Sequence, residues 1–182
     1  MKDIDIFATE LFEEAKRFLE KAKEDEGEVG KKAFLHAALL LGISSLEAHL
    51  NAISDEMAER PGLGILELSI LSERQYSFEK GKFKLTKKLK IYNLIDRIEF
   101  IVSRFALPGK RLDTNADWWC KLNQGIDMRN SLVHPKEKHV VTYQHVKHAF
   151  EGILGVLDAI YMALYEQHFP ALGRRFDSSM DF

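Results

Sequence analysis

Apolar residues that return every three or four positions run through most of this 182-residue chain, and that period commits it to helices. From Ile4 to Glu24 the set Ile4, Phe7, Ala8, Leu11, Ala15, Phe18, Leu19 and Ala22 makes one dry face, with charged residues in the gaps. The Asp25-Glu26-Gly27 cluster predicts its end. A second helix is predicted over Val29–Glu59. It is apolar almost all round from Phe34 to Leu46, as the central helix of a bundle must be, and it stops before Arg60-Pro61-Gly62. A short helix over Ile65–Arg74 is followed by Tyr76–Leu85, where apolar and polar residues alternate around Gly81. This predicts a small hairpin or irregular insert at 76–85.

Thr86 is the expected cap of a third long helix ending near Phe105, and Asp113 or Thr114 of a fourth that closes at His134 before Pro135. A last helix is predicted from Thr142 to Phe169-Pro170. The fold class expected is all-α: an up-and-down bundle of four to five main helices, one domain over residues 1–172. The tail at 173–182 has no period and is expected to be disordered or used for pairing.

Composition narrows the function classes. Lys+Arg 26 against Asp+Glu 28 leaves a net charge of −2, which excludes a protein that coats nucleic acid over its whole surface but permits a local basic site. A single cysteine, Cys120, excludes an internal disulfide and a CxxC motif; it lies beside Trp118 and Trp119, where packing is its expected role. The two tryptophans cannot both face the core, so one is expected inside and the other at a helix junction or dimer seam. The longest uninterrupted apolar run, Ala37–Ile43, is far below the ~18 residues of a membrane span. The opening Met-Lys-Asp-Ile-Asp-Ile lacks the basic-then-apolar order of a secretory signal, so a soluble, cytoplasmic protein is expected.

The segment richest in chemistry is Asp127-Met128-Arg129-Asn130-Ser131-Leu132-Val133-His134-Pro135. Arginine offers a planar fork of donors that matches phosphate oxygens two at a time. Histidine can accept and return a proton near neutral pH. Asn130 and His134 are four apart and share a helix face, whereas Arg129 and His134 are separated by roughly 140° on an ideal helix. Pro135 softens that separation by pushing His134 out of helical geometry.

Arg-Asn-Ser-Leu-Val-His-Pro at a helix end resembles the signature of the HEPN superfamily (higher eukaryotes and prokaryotes nucleotide-binding domain), an arginine and a polar residue followed by histidine. The earlier Ser44–Ile53 segment, with Glu47 and Asn51 one turn apart, is similar to the family's long helix, where an acidic residue and an asparagine face the site. The likeness spans about Val29–Leu164. It implies a bundle that forms a homodimer with two motifs in one cleft, and a metal-independent endoribonuclease with no cofactor, of a kind found among toxins and antiphage effectors. His134 and Arg129 would be catalytic, Asn130 would hold His134 or the scissile phosphate, and Glu47 and Asn51 would support them. RNA would be the substrate and an antitoxin protein a further partner. The rival implied by the same likeness is a non-catalytic module that binds nucleotide or RNA or regulates a partner protein.

Plainer readings stand beside these. Arg129 can be a helix-end arginine paired with Asp127 or Glu47, His134 a favourable cation at a helix C-terminus, and Glu47 and Asn51 a structural pair. Six lysines and no acid lie between Lys80 and Lys90. Lys80, Lys82, Lys84, Lys87 and Lys88, with Phe78 and Phe83, read either as a solvated surface or as a guide for single-stranded RNA. His139, His145 and His148 have metal-ligand spacing in part but no cysteine partner close in sequence, and no metal site is expected. A plain helical dimerisation domain is the third reading.

Overall fold

The structure, a computed structural model, describes residues 3–174 and 176–182. It is mostly helical, 64% in six helices, with one small two-stranded sheet. The order is α1 (Asp3–Glu24), α2 (Glu28–Met57), α3 (Ile65–Ser72), β1 (Arg74–Glu79), β2 (Lys82–Leu89), α4 (Leu94–Phe105), α5 (Asp117–Val133) and α6 (Tyr143–Tyr165), then a 3-10 turn at Leu172–Arg174.

α1 packs along α2, α5 along α6, and α2 against α6. The tight connection at 25–27, where the Asp25 carboxylate accepts from the Gly27 N–H at 2.6 Å, turns α2 back along α1. α2 passes the length and composition test for a membrane span, yet Leu39, Ile43, Leu46 and Leu50 from it are fully buried in the bundle core. They meet Phe12 and Leu19 of α1, Leu122 of α5, and Ile153, Leu157 and Ile160 of α6. This is the central helix that the all-round apolar stretch predicts. α5 and α6 approach unusually closely because Gly152 faces the backbone of Leu122; a Cβ there would lie 2.5 Å from the Leu122 nitrogen. Trp118 lies over Gly155 in the same seam and meets the edge of Trp119 at 5.8 Å, so both rings lie half-buried at the helix junction.

Several boundaries differ from the sequence expectation. Thr86 does not cap a helix but lies inside β2. Its β-branched side chain suits the pleat, and β2 runs on past Leu85, through a register irregularity, to pair Leu89 with Arg74. Asn93 caps α4 instead, its Oδ1 accepting from the Ile95 and Asp96 N–H groups at 2.8 and 3.2 Å. Asp113 accepts from the Asn115 N–H, closing a turn before α5 rather than capping it, and Ala116 precedes the helix with no side-chain cap. Thr142 does cap α6, exchanging hydrogen bonds with His145. α6 ends at Tyr165, four residues before Phe169, because Glu166 turns left-handed (φ 55°) and Asp158 accepts from the Phe169 N–H at 2.9 Å.

The tail is not loose where it is described. Lys16, fully buried on α1, donates to Glu13 at 2.6 Å and to the Asp177 carbonyl at 2.8 Å. Glu13 also accepts from the Ser179 N–H, and Ser178 donates to the Glu13 carbonyl. A buried ammonium needs such partners; Glu13 and the Asp177 carbonyl supply them, and Ser178 and Ser179 in turn hold Glu13. Cys120 likewise departs from expectation. It is exposed on α5, with its sulfur accepting from Gln124, and takes no part in the core.

His49 sits on α2, 5% exposed, edge-on to the Phe169 ring at 5.2 Å. Burial pushes its pKa down to about 4, against a small opposing pull from Asp5. The unfolded chain would bind that proton near pH ~6.5. Because the folded value is depressed, His49 contributes its stability above pH ~6.5 and loses it as pH falls through that value towards 4. Urea unfolding is expected to show a loss of about 2 kcal/mol between pH 7 and pH 5, much reduced in His49→Leu. His36, whose pKa burial and Lys32 also lower, leaves a residual slope of the same sign. An equal slope in His49→Leu would remove His49 from this account.

Candidate functional site

The proline that sequence reading placed after the motif helix ends α5 where expected. His134 is its C-cap residue, with φ −123° and ψ 63°, and its N–H still reaches the Asn130 carbonyl at 2.9 Å. The last turn therefore divides the motif. Arg129 points inward to α2, while Asn130 and His134 stay exposed at the helix end. Neither Asn130 nor His134 forms a side-chain hydrogen bond or ion pair among the described residues, so both are free to meet a ligand.

Arg129 is held by Glu47: its Nη2 lies 2.5 Å from the carboxylate oxygen. Its Nε is buried without a partner among the described residues. Glu47 and Asn51 share a face of α2, as their spacing requires, but they serve different arginines. Asn51 accepts from Arg97 of α4 at 3.0 Å; the same nitrogen reaches the Ser54 hydroxyl at 3.2 Å, and Arg97 Nη1 lies 3.1 Å from Glu73. Arg97 is only 3% exposed. Burial lowers its pKa, with Glu73, Glu47 and Asp55 opposing that shift. A lane of polar groups thus runs along α2 from Arg129–Glu47 to Asn51–Arg97–Glu73, about 10 Å of helix from residue 47 to residue 54.

Sequence reasoning missed Arg97, although a signal was there. Leu94, Arg97, Ile98, Ile101 and Phe105 follow the helical period, so an arginine stands on the dry face of α4. A permanent cation at such a position demands buried acceptors.

The lysines Lys80, Lys82, Lys84, Lys87 and Lys88 are placed together on the hairpin β1–β2 and not in the motif. Glu73, where Arg97 ends the polar lane, is the residue before β1, and its carbonyl accepts from the Lys90 N–H at 2.8 Å. The hairpin root and the motif are therefore joined through α2.

His139, His145 and His148 surround an open cleft of about 370 Å³ beside α5, lined also by Lys121, Asp127 and Ser131. His145 Nδ1 is engaged by the Thr142 N–H, and His148 pairs with Gln144. Among the described residues no group of three His, Cys, Asp or Glu side chains is arranged to hold a metal ion.

The chain matches no family model, no curated protein and no solved structure. What fold and site define together is a mostly helical domain whose long central helix carries a polar lane, with an Arg-Asn-x3-His helix end at one side and a basic hairpin at the other.

Proposed function

We propose that this protein is a metal-independent endoribonuclease of the HEPN type. The observation that carries the reading is the divided helix end: Arg129 is fixed by Glu47, while Asn130 and His134 stand free in solvent at the proline-terminated turn. In this reading His134 takes the proton from a ribose 2′-OH or returns one to the departing 5′-oxygen. Arg129 stabilises the charge that grows on the phosphate, and Asn130 holds the imidazole or the phosphate. The RNA supplies its own nucleophile, so the reaction needs neither a nucleophile from the protein nor a metal. Glu47 restrains the guanidinium, and Asn51 acts through Arg97 as a support for the same lane.

The working form is a homodimer in which two motifs share a cleft. Val133 and Val140, exposed on either side of His134, give that seam apolar surface. A cytoplasmic toxin restrained by an antitoxin protein is the setting that fits this chemistry. Incubation of the purified protein with RNA in excess EDTA is expected to give cleavage at the rate seen without chelator; loss of cleavage with EDTA would defeat the metal-free mechanism.

A second reading, a non-catalytic module that binds nucleotide or RNA or regulates a partner, is favoured by one observation. Arg129 already commits its Nη2 to Glu47. In that case RNA would bind and remain intact.

A further inference from the structure

We infer that the β1–β2 hairpin is a docking platform for single-stranded RNA, with bases stacked on one face and the phosphate chain guided by lysines on the other and at the rim. The inference takes RNA as its ligand from the ribonuclease reading and deepens it, naming the strandedness of the substrate and the surface that holds it.

The register separates the two kinds of side chain. Phe78 pairs with Phe83 and Tyr76 with Leu85, so these four share one face, whereas Ser77 opposite Lys84 and Glu79 opposite Lys82 share the other. Phe78 is 64% exposed and Phe83 57%, their ring centroids 5.0 Å apart, with Tyr76 edge-on to Phe83 at 6.1 Å. Large aromatics left in water on a two-stranded sheet make no contribution to the core and need another explanation. From Arg74 to Lys90 the hairpin carries seven cations against one acid, Glu79, while the remainder of the chain is net acidic.

That pairing of charge with aromatic surface selects the occupant. A second copy of the hairpin would bring the same positive charge against itself. Duplex RNA hides its base faces, leaving the rings nothing to stack on. A single strand offers flat bases and a polyanionic backbone at once, and base–aromatic stacking is indifferent to sequence. The root of the hairpin is also anchored, since Lys90 and Tyr92 both bond Glu73, which Arg97 ties to α2. A strand laid on the hairpin is therefore held by an element fixed to the polar lane that ends at Arg129.

The test uses fluorescence anisotropy of a labelled 12-nucleotide single-stranded RNA and of a 12-base-pair RNA duplex, with full-length His134→Ala protein in EDTA so that the probe stays whole. The single strand is expected to bind at least about tenfold more tightly than the duplex. Adding Phe78→Ala and Phe83→Ala is expected to weaken single-strand binding at least about tenfold, since each stacked base contributes on that scale. Lys82→Gln with Lys84→Gln is expected to flatten the salt dependence by about one to two phosphate contacts. Thermal unfolding of the aromatic variant should match its parent, because both rings are exposed. Unchanged affinity on loss of the two rings overturns the platform, as does equal affinity for duplex. A loss of affinity that tracks a change in oligomeric state by light scattering also overturns it, and assigns the face to a second copy. Because binding is read without cleavage, a platform that holds in a protein that never cuts RNA would sink the ribonuclease reading alone. Normal cutting with unchanged affinity would sink the platform alone.

Discussion

His134→Ala is expected to lower the rate of RNA cleavage at least ~100-fold while leaving the fold intact. The side chain is exposed at the helix C-cap and forms no side-chain hydrogen bond or ion pair among the described residues, so its removal costs the bundle little. The loss should appear at saturating RNA, because a group that moves a proton in the transition state affects the chemical step and not the ground-state complex. Arg129→Ala gives a different profile. It leaves the half-buried Glu47 carboxylate unpaired, so lower stability accompanies the lost cleavage. Single-turnover kinetics on both variants, with urea unfolding alongside, separates the two. Unchanged cleavage by His134→Ala would remove the imidazole from the mechanism.

Arg97→Met should be the most destabilising single change on the polar lane, about 3 kcal/mol. Removing one partner of a buried ion pair leaves the other charge and its acceptors uncompensated. Glu73, Asn51 and Ser54 would all lose a donor at once. Glu73 keeps some contact with water, which holds the loss to the lower end of the range seen for buried pairs. Arg97→Met with Glu73→Gln should recover part of it, since no bare charge then remains. Amide hydrogen exchange across 74–90 is also expected to rise in Arg97→Met, because the hairpin loses its tie to α2. Wild-type stability in Arg97→Met would show that the lane carries no weight in the fold.

The helical plan could be read from spacing because burial writes itself into sequence at a fixed period. α1, α2 and α6 show this, and so does the break before Pro135. The Thr86 boundary could not. Thr86 is both a good cap and a good strand residue, and only the pairing of Arg74 with Leu89 decides between them. The tail at 177–182 was equally hidden, because its partners, Glu13, Lys16, Arg17 and Glu20 of α1, lie about 160 residues away in sequence. At the candidate site, the Glu47–Arg129 pair follows from helix faces once α2 and α5 are neighbours. Arg97 was legible only as a cation on a dry face, a signal with no motif attached. The two-faced character of the hairpin is plain from alternation alone, yet its root on Glu73 and Arg97 needed the fold.

The most direct test of the central claim, that an RNA 2′-OH is the nucleophile and Arg129 and His134 serve it, changes the substrate and not the protein. A single-stranded RNA is first mapped for its cleavage site in EDTA, then made again with one 2′-deoxy sugar on the 5′ side of the scissile phosphate. The RNA is expected to be cut to a 2′,3′-cyclic phosphate and a 5′-hydroxyl, and the substituted strand to stay whole at that bond. Cleavage at the deoxy position, or products bearing 5′-phosphate, would contradict it.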